Sequence, residues 1–248
     1  MNLIYQFWVG SPPKYAHISK QLMKLYADLI GADYICDFNS GDSRIPSSDY
    51  FNCFRPIYDK SLDKYDKILF CDMDIFPVLG ITESIFDEPL IHFGIAEEEH
   101  QPELRYNLSG QICGTNDEAW GAIVEKNYPQ HKLLRDDKNR LRVFNSGVVL
   151  YTRSGIELAR EKWADFAQYQ SLMRSLNRFY QLDQNYLNAM LAGNKFTIMD
   201  TKWNSQIYYY PEKEKIPANI LDTRTANTNF VHIQLRPRDI LTEDMVYD

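Results

Sequence analysis

The 248-residue sequence predicts a single α/β domain with a Rossmann-like, mostly parallel central sheet flanked by helices, and three observations carry that expectation. Residues 3–38 read as strand, loop, helix, glycine, strand, the βαβ unit whose crossover makes its two strands parallel. An apolar strand at 67–71 ends in Asp72-Met73-Asp74, so carboxylates stand at the carboxyl edge where open α/β sheets bind ligands. The length suits one such core, and no internal repeat, low-complexity tract or linker divides residues 1–248 into two domains.

The first strand, 3–9, is apolar and aromatic and runs into Gly10-Ser11-Pro12-Pro13, which ends it. Residues 16–30 place Ile18, Leu22, Leu25, Tyr26 and Leu29 at helical spacing, and Gly31 stands where a left-handed cap belongs. A strand returns at 32–38, the polar stretch 39–49 is a loop, and 50–64 is expected to form one helix before the strand at 67–71. Further strands are expected at 90–96, ending in Glu97-Glu98-Glu99, and at 142–151, with Asn145-Ser146-Gly147 inside the latter. The polar segment between them is longer than common connections and is expected to be either functional or partly helical. Ser154-x-x-Glu157 has capping-box spacing and opens a helix carrying Leu158, Ala159, Trp163 and Phe166 on one face. Asp183 is placed to cap the next helix and Gly193 to end it.

Composition narrows the function classes. With 44% hydrophobic and 25% charged residues the chain is neither disordered nor fibrous. A formal charge of -7 and the absence of any Lys/Arg run argue against nucleic acid as a partner. Cys36, Cys53, Cys71 and Cys113 are scattered, with no C-x-x-C pair and no basic leader before them, so free thiols, no zinc site and a cytoplasmic location are expected. No stretch is continuously apolar for ~18 residues, and no membrane span is expected.

Asp72-Met73-Asp74 is the strongest chemical feature. Carboxylates two residues apart point to one side of an extended chain, or straddle a tight turn, and suit one hard divalent cation. A cation held there bridges a diphosphate and stabilises the charge that develops on it; the plainer alternative is a strand end with solvated carboxylates. Gly147 permits close approach of a backbone or ligand, and Asn145 offers a donor and an acceptor to hydroxyl groups, unless the pair is a β-bulge satisfying its own backbone. Asp183-Gln184 heads a helix, where the carboxylate either caps amides or faces a ligand. His232 follows a strand-like run and offers a neutral nitrogen ligand or a structural imidazole. Arg236 and Arg238 either fork onto a diphosphate or are surface charges.

In order along nearly the whole chain, Tyr15, Asp72-Met73-Asp74 after Tyr65-Asp66-Lys67, Phe144-Asn145-Ser146-Gly147-Val148, Asp183-Gln184 with Leu187-Asn188, Trp203-Asn204 and His232 resemble glycosyltransferase family 8. These are the glycogenin-like and bacterial galactosyltransferase-like enzymes with the GT-A fold, a mixed, mostly parallel sheet flanked by helices. The resemblance implies a nucleotide diphosphate sugar donor, most often a UDP-sugar, a carbohydrate or glycoconjugate acceptor, and retention of configuration. It implies that Asp72, Asp74 and His232 hold Mn²⁺ (or Mg²⁺), and that Phe7, Trp8 and Tyr15 face the nucleobase. Arg55 stands near the family's basic donor-site residue and Glu97 near its acidic residue beside the donor sugar. Met73, Ser146 and Gly147 fall on the donor side, and Asn145, Asp183 and Gln184 match the positions that contact sugar. Residues 100–141 are longer than in compact members, which suggests an insertion on the acceptor side. The family's ending, H-x-x-G-x-x-K-P-W, is replaced by His232-Ile233-Gln234-Leu235-Arg236-Pro237-Arg238-Asp239.

Three rivals share parts of this pattern. A haloacid-dehalogenase-type phosphatase places its D-x-D in the first strand and continues it with Thr or Val, where this chain has Phe76. A nucleotidyltransferase brings a Gly-rich basic loop after the first strand, of which Gly10-Ser11-Pro12-Pro13-Lys14 is a poor version. A non-catalytic nucleotide-sugar binder would tolerate loss of the metal ligands, all of which are intact here.

Overall fold

The computed structural model describes residues 1–38, 49–107, 109–208 and 218–234. Among the described residues the strands are β1 (Asn2–Trp8), β2 (Asp33–Phe38), β3 (Lys67–Cys71), β4 (Ile75–Pro77), β5 (Phe93–Glu97), β6 (Phe144–Thr152), β7 (Thr197–Met199), β8 (Ser205–Ile207) and β9 (Phe230–Ile233). The helices are α1 (Lys14–Ile30), α2 (Arg55–Tyr58), α3 (Gln101–Asn107), α4 (Gly114–Asn127), α5 (Arg153–Lys162), α6 (Phe166–Met173), α7 (Asp183–Leu191) and α8 (Ala218–Leu221). None of them is long and apolar enough to cross a membrane.

Six strands form the central sheet in the order β2-β1-β3-β6-β5-β7. Only β6 runs against the others, pairing antiparallel with β3 and β5, while β1 is parallel to β2 and β3, and β5 to β7. The expected mixed, mostly parallel α/β sheet is therefore present. Because β6 is reversed, its first residues lie at the carboxyl end of β3, with Cys71 opposite Val148. A smaller sheet, β4-β9-β8, continues from there: Ile75 of β4 pairs with His232 of β9, and Gln206 of β8 with the same His232.

Apolar side chains cover both faces of the large sheet. Phe51, Phe54, Phe166 and Tyr186 pack with Tyr5 and Phe70 on one side, and Ile4, Met23, Tyr26, Trp203 and Phe230 with Leu69 on the other. Each fully buried ring contributes roughly 1.5–3 kcal/mol, and the edge-to-face contacts add to it. All four cysteines are free thiols.

The βαβ unit follows its sequence signals: α1 ends on Gly31 with φ of 69°, and β2 is parallel to β1. The buried face of α1 follows the predicted stripe only in part: Tyr26 is buried and Ile18 and Leu22 are half-buried. Leu25 and Leu29 are 64% and 62% exposed, while Tyr15, Ala16, Ser19, Met23, Tyr26 and Ala27 face the sheets. Where α1 comes closest to β4 the buried residue is small: the Ser19 hydroxyl donates to Ile75 O at 2.6 Å and accepts from Gln6 Nε2 at 3.1 Å. The single helix expected over 50–64 is broken into a 3₁₀ turn (Asp49–Phe54), α2 and a second 3₁₀ turn (Lys60–Leu62). Pro56 disfavours continuous helix across its ring, and Asp59, in extended conformation, caps the following turn through Ser61 N at 2.9 Å.

The capping box predicted at Ser154 is displaced. Thr152 is the N-cap of α5, accepting from Gly155 N at 3.0 Å, and the helix stops at Lys162 so that Trp163 and Phe166 fall outside it. The 100–141 segment takes its partly helical form in α3 and α4, closed by an isolated bridge between Arg135 and Leu141.

Candidate active site

The end of β3 delivers Asp72 and Asp74, and the paired strands deliver everything around them. Asp72 N donates to Gly147 O at 2.8 Å, which fixes the turn against the start of β6. Ile233 N donates to Asp74 O at 3.0 Å, and this backbone bond brings His232 beside the acidic pair. One ligand atom from each of Asp72, Asp74 and His232 lies within 4.8 Å of the others, and His232 Nε2 is 3.4 Å from Asp74 Oδ1. Two carboxylates and a neutral imidazole suit a divalent cation such as Mn²⁺ or Mg²⁺. A Cβ on Gly147 would come within 2.8 Å of His232 Cε1 and 3.1 Å of Asp72 Oδ2. The space beside the three ligands thus exists because residue 147 has no side chain.

Burial and like charge set the electrostatics of the site. Burial, then the neighbouring carboxylates of Asp74 and Asp183, push the Asp72 carboxyl well above the usual carboxylate range against the opposing His232. Burial raises Asp183 to about 6, opposed by the Ser146 hydroxyl and the amides of Asp183 and Gln184. Burial, the largest single influence, would lower His232, but Asp74, Asp72 and Glu98 together outweigh it and the net shift is upward.

The three ligands open onto a cleft of about 640 Å³. Phe7, Trp8 and Tyr15 form its aromatic wall, with Trp8 edge-on to Tyr15 at 6.2 Å. Met73, Asn145, Ser146, Asp183 and Gln184 line its floor and far side. Asp183 is the first residue of α7, after the N-cap Leu182; its carboxylate accepts from Ser146 Oγ at 3.0 Å and lies against the amides of Asp183 and Gln184 at the helix start. The residue expected at the head of this helix thus also lines the cleft. Asn145 lines the cleft with its amide committed inward: Oδ1 accepts from Gly147 N at 2.8 Å and Nδ2 donates to Glu98.

Two residues sit elsewhere. Arg55 pairs with Asp37 and, at 2.9 Å, with Asp59, behind the aromatic wall and under the Tyr5 ring. Glu97 pairs with Arg142 and borders a neighbouring cavity, while Glu98, buried to 4% exposure, turns toward Asn145. A register shift between Ile95 and Glu97 explains the exchange, because one irregular residue reverses which side the following side chains take. Arg236 and Arg238 lie outside the described residues.

Asp49 and Tyr50 at the cleft, and Phe179, Leu182 and Gln234 along it, carry no recognisable signal in the sequence. Asn204 and Gln206 were also unassigned as partners of His232: Asn204 Oδ1 and Gln206 Nε2 each lie 3.1 Å from its Nδ1. Asn204 immediately precedes β8 and Gln206 lies within it, and their i, i+2 spacing is the one signal that points to a shared side.

No family model matches the chain, and no curated protein matches it in sequence. Solved structures do. A mouse xyloside xylosyltransferase 1 is 12% identical with a TM-score of 0.54, covering 94% of this chain and 97% of that one. A glycosyltransferase involved in the glycosylation of the major capsid of PBCV-1 is 13% identical with a TM-score of 0.50, covering 93% of this chain and 92% of that one. At this identity the likeness is one of architecture: the chain has the GT-A fold of glycosyltransferases, over almost its full length.

Proposed function

We propose that this chain is a metal-dependent glycosyltransferase. It moves a hexose from a nucleotide diphosphate sugar, with UDP-sugars the first donors to try, to a hydroxyl of a carbohydrate or glycoconjugate acceptor, with retention of configuration. The observation that carries the reading is the convergence of Asp72, Asp74 and His232 within 4.8 Å at one end of an open cleft. When bound there, Mn²⁺ or Mg²⁺ supplies Lewis acidity to the diphosphate leaving group.

The chain's own residues supply the rest. Asp72 and Asp74 offer carboxylate oxygens and His232 offers Nε2 from the side opposite β3. Phe7, Trp8 and Tyr15 provide flat apolar faces for a nucleobase. Asp183, steadied by Ser146, and Gln184 present polar groups to sugar hydroxyls on the other wall. Asn145 and Gly147 shape the floor between the two.

The test is a donor screen. Protein incubated with Mn²⁺ and a panel of nucleotide sugars should slowly hydrolyse one of them to the nucleoside diphosphate, and EDTA should stop the reaction. Release of pyrophosphate, or hydrolysis of simple phosphate monoesters instead, would move the protein to nucleotidyl transfer or to phosphatase chemistry.

A further inference from the structure

Behind the cleft a continuous run of buried polar side chains leads to His232. Glu98, Asn145, Asn204 and His232 are 4%, 4%, 3% and 5% exposed. Asn145 Nδ2 donates to Glu98 Oε1, Asn204 Nδ2 donates to Asn145 Oδ1 at 3.0 Å, and Asn204 Oδ1 lies 3.1 Å from His232 Nδ1. We propose that this chain of carboxamides selects the His232 tautomer that carries its proton on Nδ1, which leaves the Nε2 lone pair aimed at the Asp72–Asp74 pair. Glu98, Asn145 and Asn204 are then positioning residues for a metal ligand, a conclusion that rests on reading Asp72, Asp74 and His232 as the metal site.

Polarity carries the argument. An amide side chain can be turned end for end, so its hydrogen bonds alone do not say which end is oxygen. Here a group of fixed polarity decides. The backbone N–H of Gly147 can only donate, and it reaches Asn145 at 2.8 Å, so that atom is Oδ1 and Nδ2 points to the Glu98 carboxylate. Asn145 Oδ1 must then accept from Asn204, which places Nδ2 of Asn204 there and its Oδ1 against the imidazole. An oxygen facing Nδ1 requires Nδ1–H.

Gln206 is the competitor. Its Nε2 is also 3.1 Å from His232 Nδ1 and would favour the other tautomer, with Nε2–H directed to Asp74. Both Gln206 amide hydrogens have other acceptors, Asn204 Oδ1 at 2.9 Å and Asn204 O at 3.3 Å. Gln206 therefore reinforces the orientation of Asn204 rather than opposing it. Outer-shell groups of this kind fix ring orientation and raise ligand basicity, and their loss typically costs ~10–100-fold in metal affinity.

The experiment reads the tautomer directly. Long-range ¹H–¹⁵N NMR of metal-free protein at alkaline pH, with the His232 signals assigned from a His232→Gln sample, should show the Nδ1–H form. Asn204→Leu should shift it to Nε2–H and raise the Mn²⁺ Kd about 10-fold. Glu98→Gln, which still offers an oxygen to Asn145, should keep the Nδ1–H form and hold the Kd within about 3-fold of the parent, since only a remote charge changes. If the leucine prevents folding, Asn204→Ala is read in the same way. An Nε2–H form in the unsubstituted protein, or a tautomer indifferent to Asn204, overturns the proposal. Mn²⁺ binding that does not depend on Asn204 sinks this proposal and leaves the metal site standing. No Mn²⁺ binding at all sinks the metal reading and the proposal with it.

Discussion

Asp72 is the residue at which function and stability conflict most openly. Its folded carboxyl is raised by burial and by Asp74 and Asp183, so between its unfolded value of ~3.9 and that raised value the native chain binds more protons than the unfolded chain. Stability contributed by this group therefore falls as pH rises through that window, and above it the native state carries the full repulsion. Asp72→Asn keeps the shape and removes the charge. The variant should lose Mn²⁺ binding and turnover, yet metal-free it should melt higher than the parent at neutral pH, by about 2–4 °C for each kcal/mol relieved. The difference should shrink on acidification, and calorimetry at several pH values with EDTA present checks it; an unchanged or lower melting temperature would show that Asp72 is held by structural bonds instead. Gly147 is the complementary case, a residue that matters by what it lacks. Gly147→Ala puts a methyl within 2.8 Å of a His232 ring held by β9 and should weaken Mn²⁺ binding roughly 10-fold, as misplacing a ligand does. Isothermal titration with Mn²⁺ on a variant shown to be folded by circular dichroism measures the loss.

Elements announced by local chemistry were legible, and those fixed by distant partners were not. The strand Lys67–Cys71 and the Gly31 end of α1 follow from an apolar run and from a residue that accepts positive φ. The three-residue strands β4 and β8 are too short to show a period, and β4 and β9 exist through pairing across most of the chain. That pairing, which sets His232 opposite Ile75, has no local signature; His232 was reached through motif order. The side taken by Glu97 and Glu98 depends on one irregular register step, which no alternation rule anticipates. The start of α5 shows how neighbouring hydroxyls compete for one role. Both Thr152 and Ser154 suit an N-cap, but Thr152 also donates to His92 O at 2.9 Å, which ties the cap to β5. Thr152→Ala should cost about 1 kcal/mol and Ser154→Ala clearly less, with Mn²⁺ affinity the same in both. Urea denaturation of the two variants decides whether the cap has been placed correctly.

The candidate metal site joins the two sheets of the domain. Asp72 and Asp74 continue from β3 of the large sheet, while His232 belongs to β9 of the small one, so a bound cation holds together segments otherwise linked by packing and backbone pairing. A ligand that binds only the folded form stabilises it by RT ln(1 + [L]/Kd), about 2.7 kcal/mol at a hundredfold excess over Kd. For a chain of this size that is a rise in melting temperature of roughly 5–11 °C. Protons compete for the same groups: His232 and Asp72 both have raised values and Asp183 sits at about 6, so metal-free protein takes up protons there as pH falls and binding must displace them. The Mn²⁺-dependent rise should accordingly be full at mildly alkaline pH and fade through the acid side of neutrality. His232→Ala separates a ligand from a core histidine. A ligand's loss should lower Mn²⁺ affinity by about 10-fold or more and remove most of the metal-dependent rise, with only a modest loss in the metal-free melting temperature. Loss of a core histidine would lower the metal-free melting temperature and leave the Mn²⁺ increment intact. Melting curves of parent and variant across a Mn²⁺ series at two pH values distinguish the two, and an equal increment in both proteins would reduce the site to Asp72 and Asp74.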